Sequence, residues 1–278
     1  MHDTMTRSAL NADDRRRWNE DGYLIVRNVL APDDVAHLLR AVDDVLARDD
    51  VHAHGQTTAR AAGQRAYKIA QAVTTTDALD ALLDHPAVLP VLLALMGPFL
   101  QVLGTEIFVR TPGADSEPLV KWHSDGGTSL AHTLPNDADP VLQLKAQFFL
   151  TDCSQEDSGN FMCVPGSHRL IFPEDDAPFV APASALQLTV RAGDVLLFPW
   201  SLWHAVAPNR HGRVRKSVTI RYGPLWARPY DYERLPDDVM RRLTPRRRRL
   251  FGDLGAGAQT WSYYYHDPRE QLRLMLDG

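Results

Sequence analysis

Cysteine is scarce. The 278 residues contain two, Cys153 and Cys163, which rules out the disulfide framework of a small secreted domain and leaves room for one bridge at most. Long apolar runs are missing too. No stretch of about 18 apolar residues occurs, so no membrane-spanning helix is expected, and residues 1–7 lack the apolar centre of a signal peptide. These absences point to a reducing, cytoplasmic setting. There is no surplus of positive charge: the net charge is −5, so nothing global draws the chain to nucleic acid or to an anionic membrane. Glycine-rich phosphate loops of the GxGxxG or Walker type do not occur, nor does a His-Glu-x-x-His zinc helix. Internal repeats and low-complexity linkers are absent.

The composition is that of an ordinary globular protein, 44% hydrophobic and 23% charged. The length fits one large domain over residues 1–278. Residues 12–18 read as a short charged helix, and residues 23–26 as a strand. Pro32 opens a second helix whose Val35, Leu38, Leu39, Val42, Val45 and Leu46 recur at helical spacing, one face packed and the other charged. Residues 77–96 carry two helical turns, interrupted at Pro86 and Pro90 and ended by Gly97-Pro98. From residue 101 the period changes. Residues 101–110, 119–125, 143–152, 160–164, 185–190, 194–199 and 214–222 read as strands bounded by turn residues. The expectation is a mainly β fold: a helical buttress with an early strand over 1–100, a strand core over 101–225, and a C-terminal extension over 226–278 with helical stretches near 237–243 and 268–276.

Three stretches of the strand region carry chemistry. In Trp122-His123-Ser124-Asp125, extended chain puts His123 and Asp125 on one face. An imidazole and a carboxylate held together are two thirds of the 2-His-1-carboxylate triad of non-haem Fe(II) oxygenases. His204, just past the apolar strand ending at Phe198, is the candidate third ligand. The plain alternatives are a surface strand for the pair and a core histidine for His204. In the third stretch, alternation places Arg215, Ser217, Thr219 and Arg221 on one face. Four polar groups on a strand near the core line a polar cavity, and an Arg beside a Ser suits a carboxylate. The alternative is a solvent face, which would turn Lys216 inward.

These segments together resemble the phytanoyl-CoA dioxygenase family of Fe(II)- and 2-oxoglutarate-dependent oxygenases. The resemblance runs from Trp18-Asn19-Glu20-Asp21-Gly22-Tyr23-Leu24-Ile25-Val26 through Arg110-Thr111-Pro112-Gly113, the His-x-Asp segment, Ser158-Gly159-Asn160 and Val164-Pro165-Gly166-Ser167-His168. It ends at His204, Asn209 and Arg215, with His204 and Arg215 eleven residues apart. It implies a double-stranded β-helix, or jelly roll. It also implies His123, Asp125 and His204 as iron ligands, and Arg215 with Ser217 as anchor for the distal carboxylate of 2-oxoglutarate, with Gln147 touching that cosubstrate. O2 would be the third reactant. Glu106 stands where many relatives have Gln. His168 is expected to fix its turn rather than to bind metal. A carboxylate at position 125 argues against halogenation, for which related enzymes keep a small residue there.

The substrate-facing candidates are Lys121, Glu106, Arg221, Thr128 and Trp203, and residues 50–65 and 126–140 are the segments expected to close over substrate. Mixed charges point to a polar small molecule, amine- or hydroxyl-bearing, in natural-product or other small-molecule metabolism. An acyl-CoA or amino-acid hydroxylase is the substrate alternative, and a catalytically inactive cupin-like binding module the functional one. A monomer or homodimer that binds neither nucleic acid nor membrane is expected. The basic run Arg246–Arg249, with Arg241 and Arg242, reads as a solvated face or helix cap. Tyr263-Tyr264-Tyr265 reads as structural.

Overall fold

Strands with one apolar and one polar face dictate this architecture, because a strand that alternates must lie between two different environments. The computed structural model describes residues 10–53, 57–58, 66–113, 118–125, 141–173, 180–254 and 266–277. The N-terminal part holds helices α1 (Ala12–Asp21), α2 (Pro32–Leu46) and α3 (Asp49–Ala53), strands β1 (Leu24–Val26), β2 (Thr57–Thr58) and β3 (Ala66–Ala70), two 3₁₀ segments (Ala72–Thr74 and Asp77–Leu82), and helix α4 (Leu89–Met96). Strands follow: β4 (Leu100–Arg110), β5 (Val120–His123), β6 (Leu144–Phe149), β7 (Phe161–Cys163), β8 (Leu186–Leu188), β9 (Val195–Pro199), β10 (His204–Val206) and β11 (Arg215–Pro224). Helices α5 (Asp237–Arg242), α6 (Pro245–Leu250) and α7 (Pro268–Asp277) close the chain.

Two antiparallel sheets form the jelly roll. The larger runs β1-β9-β6-β11-β4-β3-β2 and the smaller β5-β10-β7-β8. In the larger sheet, Ile107, Val109, Ala146, Phe148, Leu197, Val218, Ile220 and Tyr222 point away from the smaller sheet. They join Val35, Leu38, Val42 and Val45 of α2, and Leu92 and Leu93 of α4, in one buried cluster. Lys216 shares that outward face and reaches Asp43 of α2, so a lysine at the end of the apolar row finds its partner at the edge of the helical layer. A second, smaller cluster lies between the sheets and contains Phe149, Leu196 and Phe198 with Phe161, Cys163 and Leu188. Both cysteines are buried free thiols.

The Pro165-Gly166-Ser167-His168 turn ties the first helix to the strand core. Gly22 ends α1 in the left-handed region (φ +80°), and the Gly166 N–H donates to the Asp21 carbonyl at 3.0 Å. A Cβ on Gly22 would fall 2.3 Å from Nδ1 of His168. Gly22→Ala is therefore expected to cost about 2 kcal/mol, from backbone strain and the clash together. A thermal melt of the variant, compared with that of Gly212→Ala, measures it; both glycines have positive φ, but a Cβ at Gly212 meets nothing within 4 Å.

The basic run is not a solvated face. Arg246 and Arg247 both donate to the carboxylate of Asp84, each at 2.7 Å, and Arg242 grips Asp80. Asp84 is buried, so α5 and α6 are pinned to the end of the 3₁₀ segment Asp77–Leu82. The cluster reads as a solvated face from sequence because its partners lie some 160 residues away in the chain. Asp84→Ala would leave two partly buried guanidinium groups unpaired and should destabilise the protein by about 3 kcal/mol. A urea titration gives the value.

Candidate active site

β5 and β10 bring the two histidines together, with His123 and His204 in direct register. Their rings lie 4.2 Å apart, centre to centre. Asp125 follows the end of β5, held by its N–H donating to the Trp200 carbonyl at 2.8 Å. One ligating atom from each of His123, Asp125 and His204 lies within 4.8 Å of the others. Each imidazole also has its tautomer fixed. Nδ1 of His123 lies 2.8 Å from the Lys121 carbonyl, and Nδ1 of His204 lies 2.8 Å from the Leu202 carbonyl. A carbonyl oxygen only accepts, so both Nδ1 atoms carry the proton and both Nε2 atoms present a lone pair.

Electrostatics favour the same arrangement. Burial works to raise the Asp125 pKa, but Lys145 and then His204 outweigh it and hold the carboxyl well below the usual carboxylate range. Nζ of Lys145 lies 2.5 Å from Oδ2 of Asp125. Burial pushes the His204 imidazole down to about 3, against the opposing pull of Asp125, so it is neutral near pH 7. His204 stacks on Phe161, rings 5.1 Å apart and 9° from parallel. One anionic carboxylate and two neutral imidazoles are the donor set that suits a divalent transition metal with open positions.

These side chains open into a cavity of about 280 Å³ that also takes in Gln147, Arg215, Thr219 and Arg221. The inward face of β11 is therefore the polar face read from its alternation. At one end, Arg215 is buried over the ring of Phe149, 5.0 Å from its centre. Its Nε and Nη2 have no hydrogen-bond partner, nor has Nε of neighbouring Arg110. Arg110 pairs in register with Arg215, and burial followed by the charge of Arg215 brings its guanidinium down to about 9. Two buried guanidinium groups with unmet donors, side by side, call for an anion.

The other expected residues divide. Gln147 lines the cavity and donates to the Ser217 hydroxyl at 2.9 Å, with Ser217 fully buried beneath it. Glu106 is fully buried and faces two cations: Arg221 donates to both its oxygens at 2.8 and 3.2 Å, and Lys68 forms a further ion pair. It lies behind the cavity wall. Lys121 is exposed at the surface. Trp203 is absent from the cavity lining, and its indole N–H donates to the Leu170 carbonyl instead. Thr128, the 126–140 loop, Tyr263 to Tyr265 and most of segment 50–65 lie outside the described residues. Two cavity cations escape a reading of the motifs, Lys68 and Lys145, and a third, Arg110, is part of a motif to which no role was given. Alternation from Gln147 would have placed Lys145 on the inner face. Lys68 had no such signal, because β3 is not legible as a strand.

The known proteins that the chain is similar to include dioxygenases and α-ketoglutarate-dependent enzymes. The chain is 25% identical over 246 residues to "Dioxygenase trt7" of Aspergillus terreus, covering 84% of this chain and 80% of that protein. Its fold is similar to that of SnoK, a non-haem α-ketoglutarate-dependent carbocyclase from nogalamycin biosynthesis, with a TM-score of 0.61 and 24% identity over 87% of this chain and 94% of SnoK. HygX of Streptomyces hygroscopicus, solved with nickel, 2-oxoglutarate and hygromycin B bound, gives a TM-score of 0.64 at 18% identity over 83% of this chain and 94% of HygX. At these identities the two structures speak for the fold alone. The sequence profile of phytanoyl-CoA dioxygenase matches residues 18–217, a span that holds the histidine pair, Asp125 and the Arg215 end of the cavity, and on that match the chain belongs to the phytanoyl-CoA dioxygenase (PhyH) family.

Proposed function

We propose that the protein is an Fe(II)- and 2-oxoglutarate-dependent oxygenase in which His123, Asp125 and His204 hold the iron. Arg215 takes the distal carboxylate of 2-oxoglutarate, with Gln147 and Ser217 beside it. The observation that carries this reading is the pairing of a His-Asp-His cluster with a buried, unpartnered guanidinium in one cavity. A zinc hydrolase would need the first and have no use for the second. Iron, 2-oxoglutarate and O2 together supply the oxidising power to hydroxylate or otherwise oxidise a substrate C–H bond, with succinate and CO2 as coproducts.

The chain's own share is orientation and exclusion. The Lys121 and Leu202 carbonyls keep both Nε2 atoms unprotonated. Lys145 holds the Asp125 carboxylate charged and in place. Phe161, Phe198 and Val206 give the cavity its dry wall. The substrate class that fits is a polar small molecule. Natural-product metabolism is the setting we infer, one shared by the fold neighbour SnoK, from nogalamycin biosynthesis. The test is to supply the purified protein with Fe(II), ascorbate and 2-oxoglutarate and to measure succinate, first alone and then with a panel of polar metabolites. Slow release that a panel member accelerates is expected. Iron-loaded protein that never forms succinate would leave a binding module as the better reading.

A further inference from the structure

The cavity has a second cationic end that the iron and 2-oxoglutarate do not account for. Arg221 lies six residues beyond Arg215 on β11, about 20 Å along the strand, and pairs in register with Lys145 on β6. Lys68 on β3 completes this end, reaching Glu106 from across β4. Hydrogen-bond donors outnumber acceptors here. Glu106 takes two bonds from Arg221 and one from Lys68, which also donates to the Tyr230 hydroxyl at 2.9 Å. Lys145, buried, has one ion-pair partner among the described residues, Asp125, for three N–H groups. The buried Thr219 hydroxyl has none. The charge is unbalanced in the same sense. Lys68, Arg110, Lys145, Arg215 and Arg221 line the cavity against Asp125; Glu106 lies behind the wall, and Asp231, within electrostatic reach of Arg221, already accepts from the Gln71 and Thr105 N–H groups, so five cations face three carboxylates. A ferrous ion adds as much positive charge as 2-oxoglutarate removes, so the loaded site keeps its excess. A metal held by Asp125 would also compete with Lys145 for the carboxylate it is paired with.

Building on the oxygenase reading, we infer that the substrate carries a carboxylate, and that this group docks at the end formed by Lys145, Thr219, Arg221 and Lys68. An acceptor-only group satisfies the unmet donors and the surplus charge at once. An amine there would meet three cations in a low-dielectric setting. Of the expected amine- or hydroxyl-bearing substrate, this removes the amine, because Glu106, the one carboxylate among the substrate-facing candidates, is already held by Arg221 and Lys68. Tyr230, stacked on both Lys68 and Arg221 at 4.9 and 4.5 Å and itself exposed, marks where the C-terminal extension reaches the rim of this subsite.

The experiment uses the protein loaded anaerobically with Fe(II) and saturating 2-oxoglutarate, so that the Arg215 end is already filled. Formation of the visible iron–2-oxoglutarate charge-transfer absorption reports loading, and its absence would count against the oxygenase reading itself. Benzoate, benzamide and benzylamine are then titrated, following the perturbation of that absorption and the heat of binding. Benzoate is expected to bind at least tenfold more tightly than benzamide, and benzylamine more weakly still. Lys68→Met should reduce that preference at least fivefold and Lys68→Arg should retain it; Arg221 stays paired with Glu106 in both. Equal affinities, a preference for benzylamine, or no binding of benzoate to the loaded protein would overturn the inference.

Discussion

His204→Ala is expected to lower 2-oxoglutarate-dependent succinate formation by ~10³-fold, with the loss traced to missing iron. Outer partners of a metal-bound histidine are typically worth about 10–100-fold, so a direct ligand should exceed that. The substitution also opens space between Phe161 and Phe198, whose rings lie 5.1 and 5.2 Å from the imidazole, and frees the Leu202 carbonyl. Those losses should cost about 2 kcal/mol of stability. Two measurements separate the effects. Elemental analysis gives iron per chain, and thermal melts with and without added Fe(II) show whether the metal still stabilises the fold. The wild-type midpoint should rise with Fe(II) and that of the variant should not. A variant that keeps a full complement of iron would remove His204 from the ligand set.

Arg215→Ala should leave iron binding intact and raise the 2-oxoglutarate concentration for half-maximal turnover by ~10²-fold or more. Breaking a buried, hydrogen-bonded ion pair costs about 3–5 kcal/mol, and Arg215 is 2% exposed with two donors unmet. The same substitution in the protein without cosubstrate carries an opposite expectation. It removes a buried cation that stands against Arg110 and depresses its pKa, so the stability of the free protein should be unchanged or slightly higher. Melts with and without 2-oxoglutarate read both signs, and Arg215→Lys should fall between, having charge without the fork. Equal loss of iron and cosubstrate would contradict the division of labour between the two ends of the cavity.

Much of this site was legible because alternation is a local property. β11 shows Arg215, Ser217, Thr219 and Arg221 at every second position, and the structure puts all four on the inner side of the larger sheet. His123 ends β5 and Asp125 lies two residues on, where the hydrogen bond to the Trp200 carbonyl keeps it beside the imidazole. Two short elements were not legible, although β1, β7 and β8, equally short, were marked by their flanking turns. β10 has three residues, too few for a period, although it carries His204 into register with His123. β3 follows a polar stretch, and its identity as a strand depends on pairing with β4. The fate of charged residues was less legible still. Glu106 reads as a cavity group, yet a carboxylate on the inner face can be consumed by neighbours on other strands. Arg246 and Arg247 read as surface, yet they close on Asp84. In each case the deciding partner is distant in sequence, and periodicity carries no record of distant partners.

The larger sheet divides its labour residue by residue. Val218 and Ile220 hold the helical layer, while Thr219 and Arg221, interleaved with them, face the cavity. Changes at the odd-numbered positions of β11 can thus alter what the chamber accepts without disturbing the apolar seal on the far side. A scaffold so arranged lets selection retune specificity and folding almost independently, and directed evolution of this enzyme would do well to randomise the codons of Thr219 and Arg221 while leaving those of Arg215, Ser217 and Gln147 alone.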